Sequence, residues 1–432
     1  MDTLISNVTV VTMNERMEIL FGAYIGITDG KISSISKSAP TEKPTTIIDG
    51  TGMVAIPGLI NCHTHLATTA LRSYLDDLGN REALEALLQK EAKMDSRCAK
   101  AAATLGIAEC LRFGITSVSD LYYYPDATAQ AAADAGIKAN IALSSYRFID
   151  ESEDFDFDTD EQCQELVRVV EKWNGHDSGR VKIDAGIYAE YTSNHKLWEG
   201  LSAFARDKGL GMQLHLSQTR EEADSCADRT GLTPTELLDC HGIFSVPATA
   251  AGCGGLSEEE KQLLGKRKAS LVALPLAYSK VDFPDIPGCV KAGANVVLGT
   301  GGTDDCGNLD MFEAMRFATL LARKTGKDAS AMPAAAALLM ATVCGAKAQG
   351  RADCGMLKEG VDADIVLVDF SAPHLMPCHN VLSGLVFSAK GGDVAMTMVR
   401  GKILYQNGYF PTIDLKQAVE ELTSYAIPKL FN

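Results

Sequence analysis

Histidine is scarce in this chain, eight in 432 residues, yet two of the eight stand two positions apart. In "PGLINCHTHLATTALRSYLDDL", His63 and His65 close an apolar run that reads as a strand. Side chains alternate faces along a strand, so the i, i+2 spacing turns both imidazoles the same way. At a strand end facing a barrel mouth, such a pair can hold one divalent metal ion. A bare His-X-His also arises as two unrelated histidines at a polar strand end. Here Pro57-Gly58 opens the run, and a third histidine, His215, ends a second apolar run in "GMQLHLSQTREE".

The elements that must position these histidines alternate along the middle of the chain. Strand candidates are "GLINCH", "GITSVSD", "KANIALS", "VKIDAGIY", "GMQLHLS", "ATAAGC", "ASLVALP" and "ANVVLGT". Amphipathic stretches such as "DSRCAKAAATLGIAECLRF" and "NLDMFEAMRFATLLARKTG" separate them. Strand-then-helix order implies a parallel sheet with helical crossovers, and eight strands suit a (β/α)8 TIM-type barrel better than an open sheet. The ends read differently. "TLISNVTVVTM", "GAYIGITDGKISSIS" and "TTIIDGTGMVAI" alternate as short strands with "DG" turns, and "ADIVLVDF" and "VAMTMVRGKILYQNGYF" repeat the pattern near the other terminus. The expectation is an α/β chain with a barrel over 56–349 and a small composite β-sandwich built from 1–55 plus 350–432.

Five stretches in order, "IPGLINCHTHLATTALRSYLDDL", "LHLSQTREE", "LSEEE", "LGTGGTDDCGNLDMFEAMRFATLL" and "GMLKEGVDADIVLVDFSAP", resemble the amidohydrolase superfamily. Within it the chain is most similar to the branch of S-adenosylhomocysteine/methylthioadenosine deaminases and triazine hydrolases. The resemblance spans essentially the whole chain. It implies a divalent metal held by His63, His65 and His215, zinc first with iron or manganese as alternatives. It also implies attack of metal-activated water on an amine-bearing or halide-bearing carbon of a small heterocycle. Glu91, in "LLQKEAKMD", matches a ribose-contacting glutamate, the alternative being a solvated helical glutamate. Tyr188, in "GIYAEY", stands where the family has a nucleoside-contacting histidine.

Three family residues are replaced. A proton-shuttling glutamate is Gln218 in "HLSQ"; a water-polarising histidine in "AAHC" is Gly252 in "AAGC"; the metal aspartate of "LGTDG" is Gly301 in "LGTGG". The family's "HNP" is Ala273-Leu274-Pro275. An amide cannot serve as acid or base, and a missing proton-transfer group costs ~10²–10⁴ in rate. Metal affinity is expected to fall, or metal to be absent, without the aspartate. The candidates for catalysis are therefore Gln218 and the aspartates just past the gap, Asp304 and Asp305, with Cys253 and Cys306 at the ends of the sixth and eighth strands. Either aspartate can fold back toward the metal or cap the following helix, where Asn308 is another cap candidate. Two functions remain: a hydrolase with a substitute base, or a silent homologue that binds ligand or metal.

Composition narrows the partners. A net charge of −16 opposes a broad nucleic-acid or anionic-membrane surface. No apolar run approaches the ~20 residues that span a bilayer, and the N-terminus carries no basic leader, so a cytoplasmic protein is expected. The 12 cysteines are scattered without a CxxC pair and read as reduced, mostly buried thiols. His176, His195, His241, His374 and His379 have no partner at ligand spacing. Asp120 ends the second strand, where "YYYP" can form a stacking wall or simply a packed loop. The resemblance adds a homo-oligomer as an expectation.

Overall fold

The computed structural model describes residues 1–144, 155–277 and 280–432, with the side chains of residues 80, 81 and 305 outside that set. The terminal strands are β1 (Thr3–Val11), β2 (Ile19–Thr28), β3 (Lys31–Ser36), β4 (Thr46–Asp49) and β5 (Met53–Pro57). The barrel follows with β6 (Leu59–His65), β7 (Ile115–Tyr122), β8 (Lys138–Leu143), β9 (Val181–Gly186), β10 (Met212–Leu216), β11 (Ala248–Gly252), β12 (Ser270–Ala273), β13 (Asn295–Leu298) and β14 (Gly301–Gly302). β15 (Ile365–Asp369), β16 (Val394–Val399) and β17 (Lys402–Gln406) return to the first sheet.

All eight expected barrel strands form, and every pairing among them is parallel. They are near-continuous apolar runs because both faces are covered; β7 and β8 are buried at every position. Closure needs a ninth piece. β13 pairs with β12, and after Gly299-Thr300 the chain bends so that β14 pairs with β6, Gly301 against Thr64 and Gly302 against His65. The TIM-type barrel is thus sealed at the "GTGG" stretch, beside two of the three histidines.

Strands of both termini form one mixed sheet in the order β17-β16-β15-β5-β1-β2-β3, with β4 beside β1. The Asp29-Gly30 and Arg400-Gly401 turns have positive φ at both residues, as two-residue type I′ hairpins require. This separate sheet encloses its own core of Ile5, Val8, Ile25, Ile27, Ile365, Met396 and Met398.

The last segment, Leu415–Phe431, is helical. Its Leu422, Ala426 and Leu430 pack on Ala67, Leu71, Cys98 and Ala102, bracing the segment that follows His65. None of the 12 cysteines is in a disulfide. No helix of the described residues is long and apolar enough to cross a membrane.

Candidate metal centre and its cavity

His63 and His65 end β6, and His215 lies in β10, so all three reach the C-terminal mouth of the barrel. His215 Nε2 stands 3.0 Å from His63 Nε2 and 3.3 Å from His65 Nε2, and the ligand atoms of the three lie within 4.8 Å of one another. The opposite ring nitrogens of two are occupied: His65 Nδ1 lies 2.7 Å from the Leu121 carbonyl and His215 Nδ1 2.9 Å from that of Tyr188. A carbonyl only accepts, so each Nδ1 carries the proton and each Nε2 presents a lone pair. Burial and the neighbouring imidazoles push His63 well below its ordinary pKa, and burial above all brings His215 down to about 3, so both are neutral. Around a tetrahedral zinc with bonds of about 2.0–2.1 Å, ligand nitrogens stand roughly 3.3 Å apart. The donor set fits a divalent ion. Among the described residues no carboxylate or thiol joins it.

The backbone around the cluster depends on glycine and on Asn61. A Cβ at Gly299 would stand 2.9 Å from His63 Cβ and 3.0 Å from His63 N, so only glycine allows that approach. Asn61 clamps the next residue, donating to Thr300 Oγ1 at 2.8 Å and accepting its N–H at 3.0 Å. Gly301 then adopts φ +79°, and a Cβ there would meet no atom within 4 Å. The space for a side chain exists, but an L-residue would be strained. At Gly252, φ is +99°, and a Cβ would stand 2.7 Å from Gln218 Cγ.

A cavity of about 340 Å³ opens from the cluster. His65, His215, Thr68, Gln218, Asp304 and Lys280 line it, and Tyr122, Tyr123, Tyr188 and Tyr191 supply aromatic wall. Helix Asn80–Glu91 turns Leu84, Leu87, Leu88 and Glu91 toward it. Glu91 accepts the Tyr122 hydroxyl at 2.7 Å, and burial followed by the Glu91 charge raises both Tyr122 and Tyr123, keeping them protonated donors. The Tyr188 ring centre lies 4.7 Å from that of His215.

Of the sequence candidates, the structure brings His63, His65 and His215 together and sets Gln218, Glu91, Tyr188 and Asp304 on the same cavity. Asp304 is 3% exposed, and its carboxylate folds back over Gly302. The side chain of Asp305 lies outside the described residues. The cap of the long following helix, Met311–Gly326, is Asp310 and not Asp304: it accepts from Phe312 N and Glu313 N, while Asn308 receives the Asp310 N–H. Cys253 is buried with its thiol raised, and Cys306 donates to backbone carbonyls of Gly302 and Asn308.

Asp120 is fully buried and does not line the cavity. It accepts the Leu66 N–H at 2.6 Å and the Thr64 hydroxyl at 3.1 Å, fixing the chain on both sides of His65. Of "YYYP", Tyr122 and Tyr123 line the cavity, while Tyr124 donates to the Met94 carbonyl. Lys280 and the leucine stripe were not singled out from sequence. The i, i+3, i+4, i+7 spacing of Leu84, Leu87, Leu88 and Glu91 was the available signal for the stripe; nothing local marks Lys280.

The chain belongs to the amidohydrolase family, whose model matches residues 54–404. It is 32% identical over 423 residues to the 5-methylthioadenosine/S-adenosylhomocysteine deaminase of Thermoanaerobacter pseudethanolicus, covering 97% of each chain. Among solved structures, an adenosine deaminase from Xanthomonas campestris with bound zinc superposes with a TM-score of 0.92 at 27% identity, over 99% of this chain and 98% of that one. The zinc complex of atrazine chlorohydrolase from Arthrobacter aurescens TC1 gives 0.90 at 26% identity, over 98% of this chain and 99% of that one.

Proposed function

We propose that this protein is a metal-dependent hydrolase that cleaves a C–N or C–halide bond on a small heterocycle of about nucleoside size. The observation that carries the reading is the convergence of three imidazole Nε2 atoms, two held by carbonyls behind them, with His65 and His215 lining an aromatic-walled cavity of about 340 Å³. That volume lies in the range of small-molecule sites. The relatives named for deamination of adenosine-type nucleosides, and the zinc in two structural neighbours, support the substrate class and the metal.

His63, His65 and His215 would hold one divalent ion, zinc first and iron or manganese next. When bound, such an ion supplies Lewis-acid activation of water. The tyrosines offer faces for stacking a ring. Glu91, already accepting one phenol, has capacity for a ligand hydroxyl. Gln218 can hydrogen-bond but not transfer a proton, which leaves Asp304 as the cavity carboxylate near the histidines able to accept one.

A second reading is a homologue that binds its ligand without converting it. The positive φ of Gly252 and Gly301, where catalytic side chains of the family would be strained, favours it. Metal analysis of the purified protein, followed by ammonia and halide release from purine nucleosides, pyrimidines, pterins and triazines, decides between them. Stoichiometric metal with turnover of one substrate class supports the hydrolase. Metal with uniform silence supports the binder, and failure to retain zinc, iron or manganese after loading removes the hydrolase reading.

A further inference from the structure

Helix Asn80–Glu91 walls the cavity with Leu84, Leu87, Leu88 and Glu91, yet little of it is packed away. Among its described side chains only Ala83 is buried, and Leu84 and Leu88 are 49% and 40% exposed. A helix of 12 residues is marginal on its own, so its position is set by what grips it from outside.

The grip comes from the C-terminal helical segment, which is itself anchored on helix Ser96–Arg112. Arg97 meets the Glu421 carboxylate through Nε at 2.5 Å and Nη2 at 3.2 Å, and its guanidinium lies 3.8 Å from the centre of the Tyr425 ring. Tyr425 donates its hydroxyl to Asp95 Oδ2 at 2.7 Å, and Lys429 Nζ lies 2.8 Å from the same oxygen. Asp95 caps helix Ser96–Arg112 and ends the short connection that leaves Glu91. Pro428 has no N–H to offer the Ser424 carbonyl, and the turn before it widens, with Ile427 N donating to the Leu422 carbonyl.

From this anchor the last turn reaches the cavity wall. Leu430 is buried in the apolar cluster against which Leu87 and Tyr123, both on the cavity, pack. Phe431 meets Tyr74 edge-on with ring centres 5.0 Å apart, and Lys90 Nζ lies 4.5 Å from the Phe431 ring centre and 5.3 Å from that of Tyr74. Three separate pieces of chain are joined there: the segment that follows His65, the end of helix Asn80–Glu91 and the C-terminal turn.

We propose that Tyr74, Lys90 and Phe431 form a latch that sets how helix Asn80–Glu91 stands over the cavity. None of the three lines the cavity, so they are positioning residues that act on a ligand through Leu84, Leu88 and Glu91. The inference rests on the reading that this cavity binds a nucleoside-sized heterocycle. Ring-edge and cation–ring contacts at half-exposed sites are individually weak. The wall is therefore held loosely enough to part for entry and to re-form over what has entered, while the histidine cluster stays on the rigid barrel.

The test compares the full metal-loaded protein with Phe431→Ala, Phe431→Tyr and Lys90→Met by backbone hydrogen exchange, urea unfolding and calorimetric titration of inosine. Phe431→Ala, which removes one ring pair and one cation–ring contact, is expected to speed exchange over 82–91 and to weaken inosine binding, each about 10-fold. Metal content, urea midpoint and exchange in the barrel strands should stay as in the parent. Lys90→Met, which keeps the aliphatic stem, should give about 3-fold, and Phe431→Tyr, which keeps the ring, should restore both readouts. Parent-like exchange over 82–91 in Phe431→Ala overturns the inference, as does acceleration spread through the barrel with a lowered midpoint, or faster exchange with undiminished inosine affinity. If inosine fails to bind the unaltered protein, the reading under the proposed function falls, and exchange over 82–91 still decides whether the latch holds the wall.

Discussion

Two buried polar clusters hold this molecule's interest, and they are built on opposite rules. At the barrel mouth three imidazoles point ring nitrogens at one shared position, their Nδ1 donors, in two cases, turned outward to carbonyls. At the junction with the terminal sheet, Lys138 is 0% exposed and its Nζ lies 2.9 Å from Asp362 Oδ2 and 2.7 Å from Asp364 Oδ2. Arg400 Nε adds a contact of 2.8 Å to Asp362, and Arg400 N donates to Asp364 Oδ1 at 2.8 Å. In the second cluster every charge faces its opposite, so no guest is needed. In the first, like faces like, an arrangement whose lone pairs are satisfied only by a cation or a proton. Buried polarity becomes a site when its compensation is left to a ligand.

The largest expected effects break the two clusters separately. His215→Ala should abolish stoichiometric metal retention, measured by elemental analysis, with urea-unfolding of the metal-free protein little changed, because the residue removed is a neutral buried ring. Lys138→Met should do the reverse. Removing one partner of a buried ion pair leaves uncompensated charge and typically costs ~3–5 kcal/mol. Its urea midpoint should drop sharply while metal content per folded molecule stays the same. If Lys138→Met also loses metal, the clusters are coupled through β8 and β7, and the contrast between them fails.

How much of this could be read beforehand differs between the strands and what lies past their ends. The barrel strands were legible because each is an apolar run with a buried pattern on both faces, and the histidines because the two-residue period of β6 dictates their common direction. The split of the eighth strand was not: "ANVVLGTGG" reads as one run, yet Asn61, a residue some 240 positions earlier, clamps Thr300 and bends it onto β6. Gly252 and Gly301 stand out in the sequence only as expected replacements within motifs that resemble the family's. That Gln218 fills the volume left at Gly252 does not show there, because the contact depends on two loops meeting. For the same reason "DDCGNLDMF" offered several caps, and only packing selected Asp310.

A smaller change sharpens the histidine side of the comparison. Gly301→Asp adds an anionic ligand where a Cβ meets open space, but at φ +79°. The strain is expected to cost about 1–2 kcal/mol in the metal-free protein. With metal present, chelator competition should show tighter retention, on the order of 10-fold. Retention equal to the parent would mean that the space beside Gly301 does not face the ion. Gly252→His alone is expected to be worse than neutral, since the new side chain and Gln218 compete for one volume.

The smallest effect concerns pH, where one carboxylate from each region, Asp362 and Glu222, should respond in opposite windows. Asp362 is held down to about 2: burial works against its ionisation, but Lys138 and Arg400 outweigh it. A lowered carboxylate contributes stability above its unfolded value near 3.8, lost as pH falls through the folded value, so Asp362 itself adds no pH dependence between 5 and 8. Glu222, which braces the Gln218 N–H, is pushed up to about 7 from 4.5, first by burial and then by the Glu190 charge, against the backbone donors it accepts. A raised carboxylate contributes its full stability below 4.5 and loses it as pH rises through about 7. The protein should therefore lose stability between pH 5 and 8 by at most ~3 kcal/mol from this group, and Glu222→Gln, which cannot ionise, should flatten that slope. Melting temperatures of parent and variant at half-unit intervals check it. Parallel curves would place the Glu222 proton in water and leave the loop beneath Gln218 held by its close packing on Gly252.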